Sequence, residues 1–337
     1  MTTTMMTALV AQGGKSLNDE DAFVAESRPV PTLRPRDILV RVEAFSINPA
    51  DTKSRAGIPA GNSKILGWDA SGTVHAIGPE VQGFSVGEEV WYAGDVTRDG
   101  TNAEFHAVDE RIVGHKPKSL SHAEAAAMPL TTITAWEILF DRFRLRNDAQ
   151  GTLVVLGGAG GVGSIMTQLA KELTGVRVIA TASRGPSRAW AVRMGADSTI
   201  DHHDLAGSVR AVAPDGVEWI FSSHSRGNVA AFAKALKPFG EIAAIDEPSG
   251  LDLLPLKDKS IAWHWELMFT RSKYATPDMG EQGALLEKVA VLVDAGHIQS
   301  TLTERFDGFT AESIRRAHLT VDGGAAIGKT VVARRTP

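Results

Sequence analysis

Residues 38–44 (ILVRVEA) set apolar against polar side chains with the two-residue period of a strand that has one wet face. Residues 72–77 and 88–92 are further strand candidates, with Gly78-Pro79 and Gly87 as turn signals. Short, regularly spaced strands of this kind predict a mostly β domain at the start of the chain. The texture changes at Ser121. Ser121-His-Ala-Glu124 pairs a hydroxyl with a carboxylate three residues on, and an alanine-rich run follows, which predicts a capped helix. A second helix is expected over residues 132–140, after Pro129.

From Gly151 the period changes again. Residues 153–156 form a short apolar run of the kind found in fully buried parallel strands. Glycines follow, then a helix over 162–173 and a second apolar strand over 176–182. Strands at 219–222 and 241–245 alternate with helices at 187–194 and 228–236. Such alternation predicts a doubly wound parallel sheet. Beyond Phe269 a helix at 281–295 precedes strand-like pieces at 300–306 and Lys329–Ala333, a tail expected to rejoin the first domain.

A chain of 337 residues is long enough for two cores. Its 43% apolar and 22% charged residues are those of a soluble globular protein. The net charge of −5 is mild, and no basic stripe occurs, which argues against nucleic acid as a partner. Cysteine is absent, so disulfides and thiolate metal ligands are excluded and a cytoplasmic setting is expected. Residues 1–7 lack the charged and apolar regions of a signal peptide. No apolar run approaches the roughly 18 residues of a membrane span.

Gly158-Ala-Gly160-Gly161-Val162-Gly163 satisfies G-x-G-x-x-G between an expected strand and an expected helix, the context that gives the pattern meaning. Gly158 is expected to allow the sharp turn, Gly160 to leave room for a pyrophosphate, and Gly163 to bring helix and strand together. About twenty residues on, NAD enzymes place an acidic residue against the ribose. Here the chain reads Thr181-Ala-Ser183-Arg184. A hydroxyl and a guanidinium suit the 2′-phosphate of NADPH; Arg184 capping a solvated turn is the other reading.

Several runs together are similar to the medium-chain dehydrogenase/reductase superfamily: Ser46-Ile-Asn-Pro-Ala-Asp-Thr-Lys53, Ile65-Leu-Gly-Trp-Asp-Ala-Ser-Gly72, Gly87-Glu-Glu-Val-Trp91, Ala125 to Ala135, the glycine turn and Met194-Gly-Ala-Asp197. The resemblance covers nearly the whole chain and is nearest the quinone oxidoreductase branch. Within it, Ile261 to Arg271 and Thr276-Pro-Asp-Met279 resemble the group labelled zinc-type alcohol dehydrogenase-like. It implies a GroES-like, mostly β catalytic domain (1–125 with 270–337) and a Rossmann doubly wound domain (126–269). It also implies a homodimer or homotetramer.

Zinc-using members of that superfamily carry Cys where this chain has Asn48, and His-Glu where it has Trp68-Asp69. Indole cannot ligate a metal and an amide is a poor zinc ligand, so no zinc is expected. Without a Lewis acid the expected chemistry is hydride transfer from NADPH to a quinone, enone or enal. Lys53 is the candidate catalytic donor, to the nicotinamide ribose or, if buried, to a developing enolate; a surface lysine is the alternative. Asp51 is read as structural, pairing with Lys53 or with backbone. The resemblance further implies that Asn48 and Thr134 approach the nicotinamide and His202 the adenosine phosphate. Gly160, Gly161, Val162 and Gly163 would hold the pyrophosphate, with Ser222 and Ile245 in the crevice. Trp68, Trp263 and Trp265 are pocket-wall candidates or ordinary core tryptophans. Two other functions stay open: an alcohol dehydrogenase with a non-standard metal site, and a non-catalytic NADPH-binding sensor.

Overall fold

The strand Asp37–Ile47 is buried along almost its whole length because it has neighbours on both sides. In a computed structural model, which describes residues 4–335, it pairs antiparallel with Ala70–Ile77, Phe105–Asp109 and Lys329–Ala333. The first three positions of the N-terminal stretch considered above lie outside the described residues. By contacts the chain divides into two units, Met1–Leu130 with Phe269–Pro337, and Thr131–Met268.

The first unit is the GroES-like one, a seven-stranded sheet with a separate three-stranded sheet formed by Met5–Gln12, Phe23–Pro29 and Ser63–Ile65. Late in the chain, Leu302–Asp307 and Lys329–Ala333 pair in parallel. Parallel neighbours need a crossover, and the helix Ala311–Asp322 supplies it. Lys329–Ala333 carries the tail into the first sheet, where all five of its residues are buried.

The second unit holds a six-stranded sheet with every strand parallel. Its spatial order is Ser198–Ile200, Arg177–Thr181, Thr152–Val155, Val217–Ser222, Leu236–Ala244, Ala262–Trp265. Numbered along the chain this is 3-2-1-4-5-6, the doubly wound arrangement that binds a dinucleotide where the order reverses. Val154, Ile179, Ile220 and Ile242 are wholly buried at the centre of one core cluster, each contributing about 1.5–3 kcal/mol by leaving water. The helix expected over 132–140 is instead an α-helix, Pro129–Trp136, continued by a π-turn, Glu137–Arg142. Among the described residues no helix is long and apolar enough to cross a membrane.

Candidate functional site

The glycine turn sits at the C-terminal end of Thr152–Val155, beside the reversal of strand order. The left-handed residue is Gly157, at φ +67°, one position before the motif, so the sharp bend expected of Gly158 is made by its neighbour. Gly158 instead permits close approach: a Cβ there would stand 2.5 Å from that of Ala180. Its backbone N–H donates to the Thr181 carbonyl at 3.1 Å, and that of Gly157 to Thr181 Oγ1 at 2.9 Å. Gly163 lets the helix Gly161–Leu173 pack onto the turn, since a Cβ would meet the Gly157 oxygen at 2.5 Å. Gly160 is the helix N-cap, and a Cβ there would meet nothing within 4 Å outside its own turn. Gly160, Gly161 and Val162 are half-exposed at this N-terminus. The Gly160 N–H is spent on the Gly157 carbonyl at 2.8 Å, but the first-turn N–H groups that follow it, an open face and the positive end of a helix fit a pyrophosphate.

Ser183 and Arg184 are exposed past the end of Arg177–Thr181, with Arg184 as backbone N-cap of the helix Gly185–Arg193. His202 is exposed and stacks on His203 at 4.3 Å. Thr134 is buried on Pro129–Trp136. Ser222 is fully buried and faces inward: its hydroxyl lies 2.9 Å from that of Ser225, which donates to Asp246 Oδ1 at 2.6 Å. Only its backbone can serve the crevice, where its carbonyl accepts from the half-buried Ile245 N–H at 3.1 Å. Ser225 and Asp246, which hold this strand end, carried no signal in the sequence beyond ordinary loop composition.

In the first unit a buried polar cluster gathers at the end of Asp37–Ile47. Asn48 is the N-cap of the helix Pro49–Ala56, and its N–H donates to Asp51 Oδ2 at 2.8 Å. Asp51 thus has the backbone partner expected of it. Burial pushes its carboxyl up to about 7. Asp69 accepts from Ser46 Oγ at 2.7 Å, Asn48 Nδ2 at 3.1 Å and Lys329 Nζ at 3.2 Å, all on Oδ2, and from the Leu130 N–H at 2.9 Å on Oδ1. Lys329 Nζ also donates to Asn48 Oδ1 and to the Ile47 carbonyl at 3.3 Å, so its three protons all have acceptors. Lys329 was missed at the sequence level. The one signal was a lysine heading an otherwise uncharged strand, KTVVA.

Lys53 is exposed on Pro49–Ala56. The burial on which an enolate-donor role depended is not found, because its helix face looks to solvent. Trp68 is 1% exposed, meets Phe269 edge-on at 5.9 Å, and keeps an unpartnered buried Nε1. Trp263 and Trp265 lie T-shaped at 5.4 Å on the outer strand of the parallel sheet, with Trp265 51% exposed.

The donor set around Asn48 does not fit zinc. Trp68 offers no lone pair, the Asn48 oxygen already accepts from an ammonium, and the Asp69 carboxylate is shared with that same cation. A dication placed there would stand against Lys329. Among the described residues the one group of three metal-capable side chains is Asp201, His202 and His203, at the surface of the second unit. There Asp201 already accepts from the His203 N–H at 3.0 Å.

The family described as the alcohol dehydrogenase GroES-like domain matches residues 34–134, and that described as zinc-binding dehydrogenase matches residues 194–332. A zinc-type alcohol dehydrogenase-like protein of Staphylococcus aureus is 39% identical over 94% of this chain and 96% of its own. A Rhizobium etli protein solved as a zinc-dependent alcohol dehydrogenase superposes with a TM-score of 0.94 at 43% identity, over 100% of both chains. A mycobacterial protein solved with NADPH superposes with a TM-score of 0.82 at 26% identity, over 97% of this chain and 99% of its own.

Proposed function

This chain belongs to the medium-chain dehydrogenase/reductase superfamily, beside proteins called zinc-type alcohol dehydrogenase-like, and we propose that it is an NADPH-dependent, zinc-independent reductase of quinones or α,β-unsaturated carbonyls. Membership supports an oxidoreductase. The finer reading is carried by one observation, the Lys329 ammonium set against Asn48 and Asp69. Zinc serves simple alcohols by polarising the carbonyl and stabilising the alkoxide. A site that repels the ion suits an acceptor whose conjugation spreads the negative charge.

NADPH, when bound, would supply a hydride to the conjugated carbon and leave as NADP+, the resulting enolate taking its proton from solvent. The chain's own residues bind and orient. Gly160 to Gly163 hold the pyrophosphate at the helix N-terminus, and Ser183 with Arg184 receives the 2′-phosphate. The mycobacterial relative solved with NADPH supports this choice of cofactor. His202 faces the adenosine phosphate, Ser222 and Ile245 border the crevice through backbone, and Asn48 and Thr134 meet the nicotinamide. Lys53, being exposed, suits a ribose hydrogen bond better than proton donation inside a dry pocket. Trp68 supplies an apolar wall. The outer strand Ala262–Trp265, with its exposed indole, supports a homodimer or homotetramer through that edge. The lack of cysteine supports a cytoplasmic setting.

The test is turnover with NADPH against para-benzoquinone, cinnamaldehyde and simple saturated aldehydes, with and without a chelator. Reduction of the conjugated acceptors, unchanged by chelation, is expected. Activity that needs stoichiometric zinc sinks the proposal, and NADPH binding without turnover on any acceptor favours a sensor.

A further inference from the structure

We propose that Lys329 is a positioning residue that fixes the Asn48 carboxamide in one orientation, so that Asn48 offers the bound ligand an N–H and never a carbonyl oxygen. The inference rests on the reading above, in which Asn48 meets the nicotinamide end of the cofactor. The ligand atom it specifies is an oxygen acceptor, either a ribose hydroxyl or the carbonyl of the reducible substrate.

An asparagine amide has two nearly isosteric ends, and in most settings either can turn to a ligand. At Asn48 the choice is removed by chemistry. An ammonium can only donate and an ionised carboxylate can only accept. Lys329 Nζ lies on Oδ1, and Asp69 Oδ2 lies 3.1 Å from Nδ2. A half-turn of the amide would set NH₂ against ammonium and carbonyl against carboxylate, losing two charge-assisted bonds at once. The groups that impose this are themselves immobile. Asn48 is held at its backbone by Asp51, Asp69 by Ser46 and by the Leu130 N–H, and Lys329 by its strand, whose Thr330 stands opposite Ile47. All of these side chains are buried. Asp69 takes one amide hydrogen of Asn48 and leaves the other for a ligand. The oxygen is occupied.

The test is a set of variants read by the Kd for NADPH, which reports a ribose contact, and by the KM for para-benzoquinone at saturating NADPH, which reports a carbonyl contact. Asn48→Ala should raise one of the two about tenfold, the size of one lost hydrogen bond. Asn48→Asp, which brings only oxygens, should lose at least as much as alanine. A retained contact in that variant would mean the ligand donates, and would overturn the proposal. Lys329→Met combined with Asp69→Asn removes the two orienting charges as a pair, leaving Asp51 as the cluster's one remaining carboxyl. It should raise the same parameter as Asn48→Ala, and adding Asn48→Ala to it should raise that parameter no further. Effects that multiply, or a lowered Tm with Kd and KM at parent values, would make Lys329 structural only. If Asn48→Ala moves neither Kd nor KM, the contact assigned to Asn48 is itself wrong, and the orientation claim falls with it.

Discussion

Lys329 and Asp69 stand 3.2 Å apart as an ion pair with side chains 4% and 0% exposed. Burial pushes the Asp69 carboxyl up and the Lys329 ammonium down, and each charge opposes the shift of the other. Their separate removal is therefore costly and their joint removal is not. Lys329→Met alone should cost about 3–5 kcal/mol of stability. Lys329→Met with Asp69→Asn should regain most of that loss. Urea unfolding measures both, and a single variant as stable as the parent would show the pair to be uncoupled.

Gly163→Ala should damage cofactor binding and stability together. The new Cβ would lie 2.5 Å from the Gly157 oxygen and 2.7 Å from the Gly158 Cα, both backbone atoms that cannot swing aside. Separating helix from turn should cost about 1–3 kcal/mol in unfolding experiments. The Kd for NADPH, followed by fluorescence, should rise at least about tenfold. Normal affinity in this variant would remove the turn from the cofactor site.

Arg184→Glu tests the phosphate. Its exposed position at the start of Gly185–Arg193 makes it replaceable without disturbing the core. NADPH affinity should fall by about tenfold or more, since a charge-assisted bond becomes a repulsion. NADH should change little. Equal losses for the two cofactors would return Arg184 to a capping role.

His318 makes the first unit acid-sensitive. It is wholly buried on Ala311–Asp322 against Phe23, and neither ring nitrogen has a hydrogen-bond partner. Burial, with help from the Arg55 charge, pushes its pKa down from 6.5 to about 3. The unfolded chain thus takes up this proton first as pH falls. Stability from the neutral ring is complete above the unfolded value of 6.5 and drains away as pH drops toward 3. Near pH 4.5 the loss should amount to about 2–3 kcal/mol. His318→Leu should flatten that acid limb in equilibrium unfolding; an unchanged limb would place the sensitivity elsewhere.

What could be read in advance was local. The glycine turn was recognisable because strand and helix flank it within about a dozen residues. The Ser121 cap was recognisable because both its partners lie three positions apart, and the bonds form as expected, Ser121 N–H to Glu124 Oε2 at 2.9 Å and Glu124 N–H to Ser121 Oγ at 3.3 Å. The polar cluster was not, because Lys329 and Asp69 are 260 positions apart. Their pairing is created by sheet topology. The crossover helix was hidden by its own buried face, where His318 reads as polar although it packs as an apolar ring. The segment after Asn48 is a helix because Pro49 and the Asn48–Asp51 cap start one.

The strand Lys329–Ala333 lies one in from the edge of the first unit's sheet, between Leu302–Asp307 and Asp37–Ile47. A ribosome delivers it some 280 residues after the strand it must join. The second unit is one uninterrupted stretch and can close while synthesis continues. The first has to wait, the end of Asp37–Ile47 short of one neighbour, until residues 329–333 emerge. Completion of that sheet, more than any local helix or turn, thus depends on a strand made long after its neighbour.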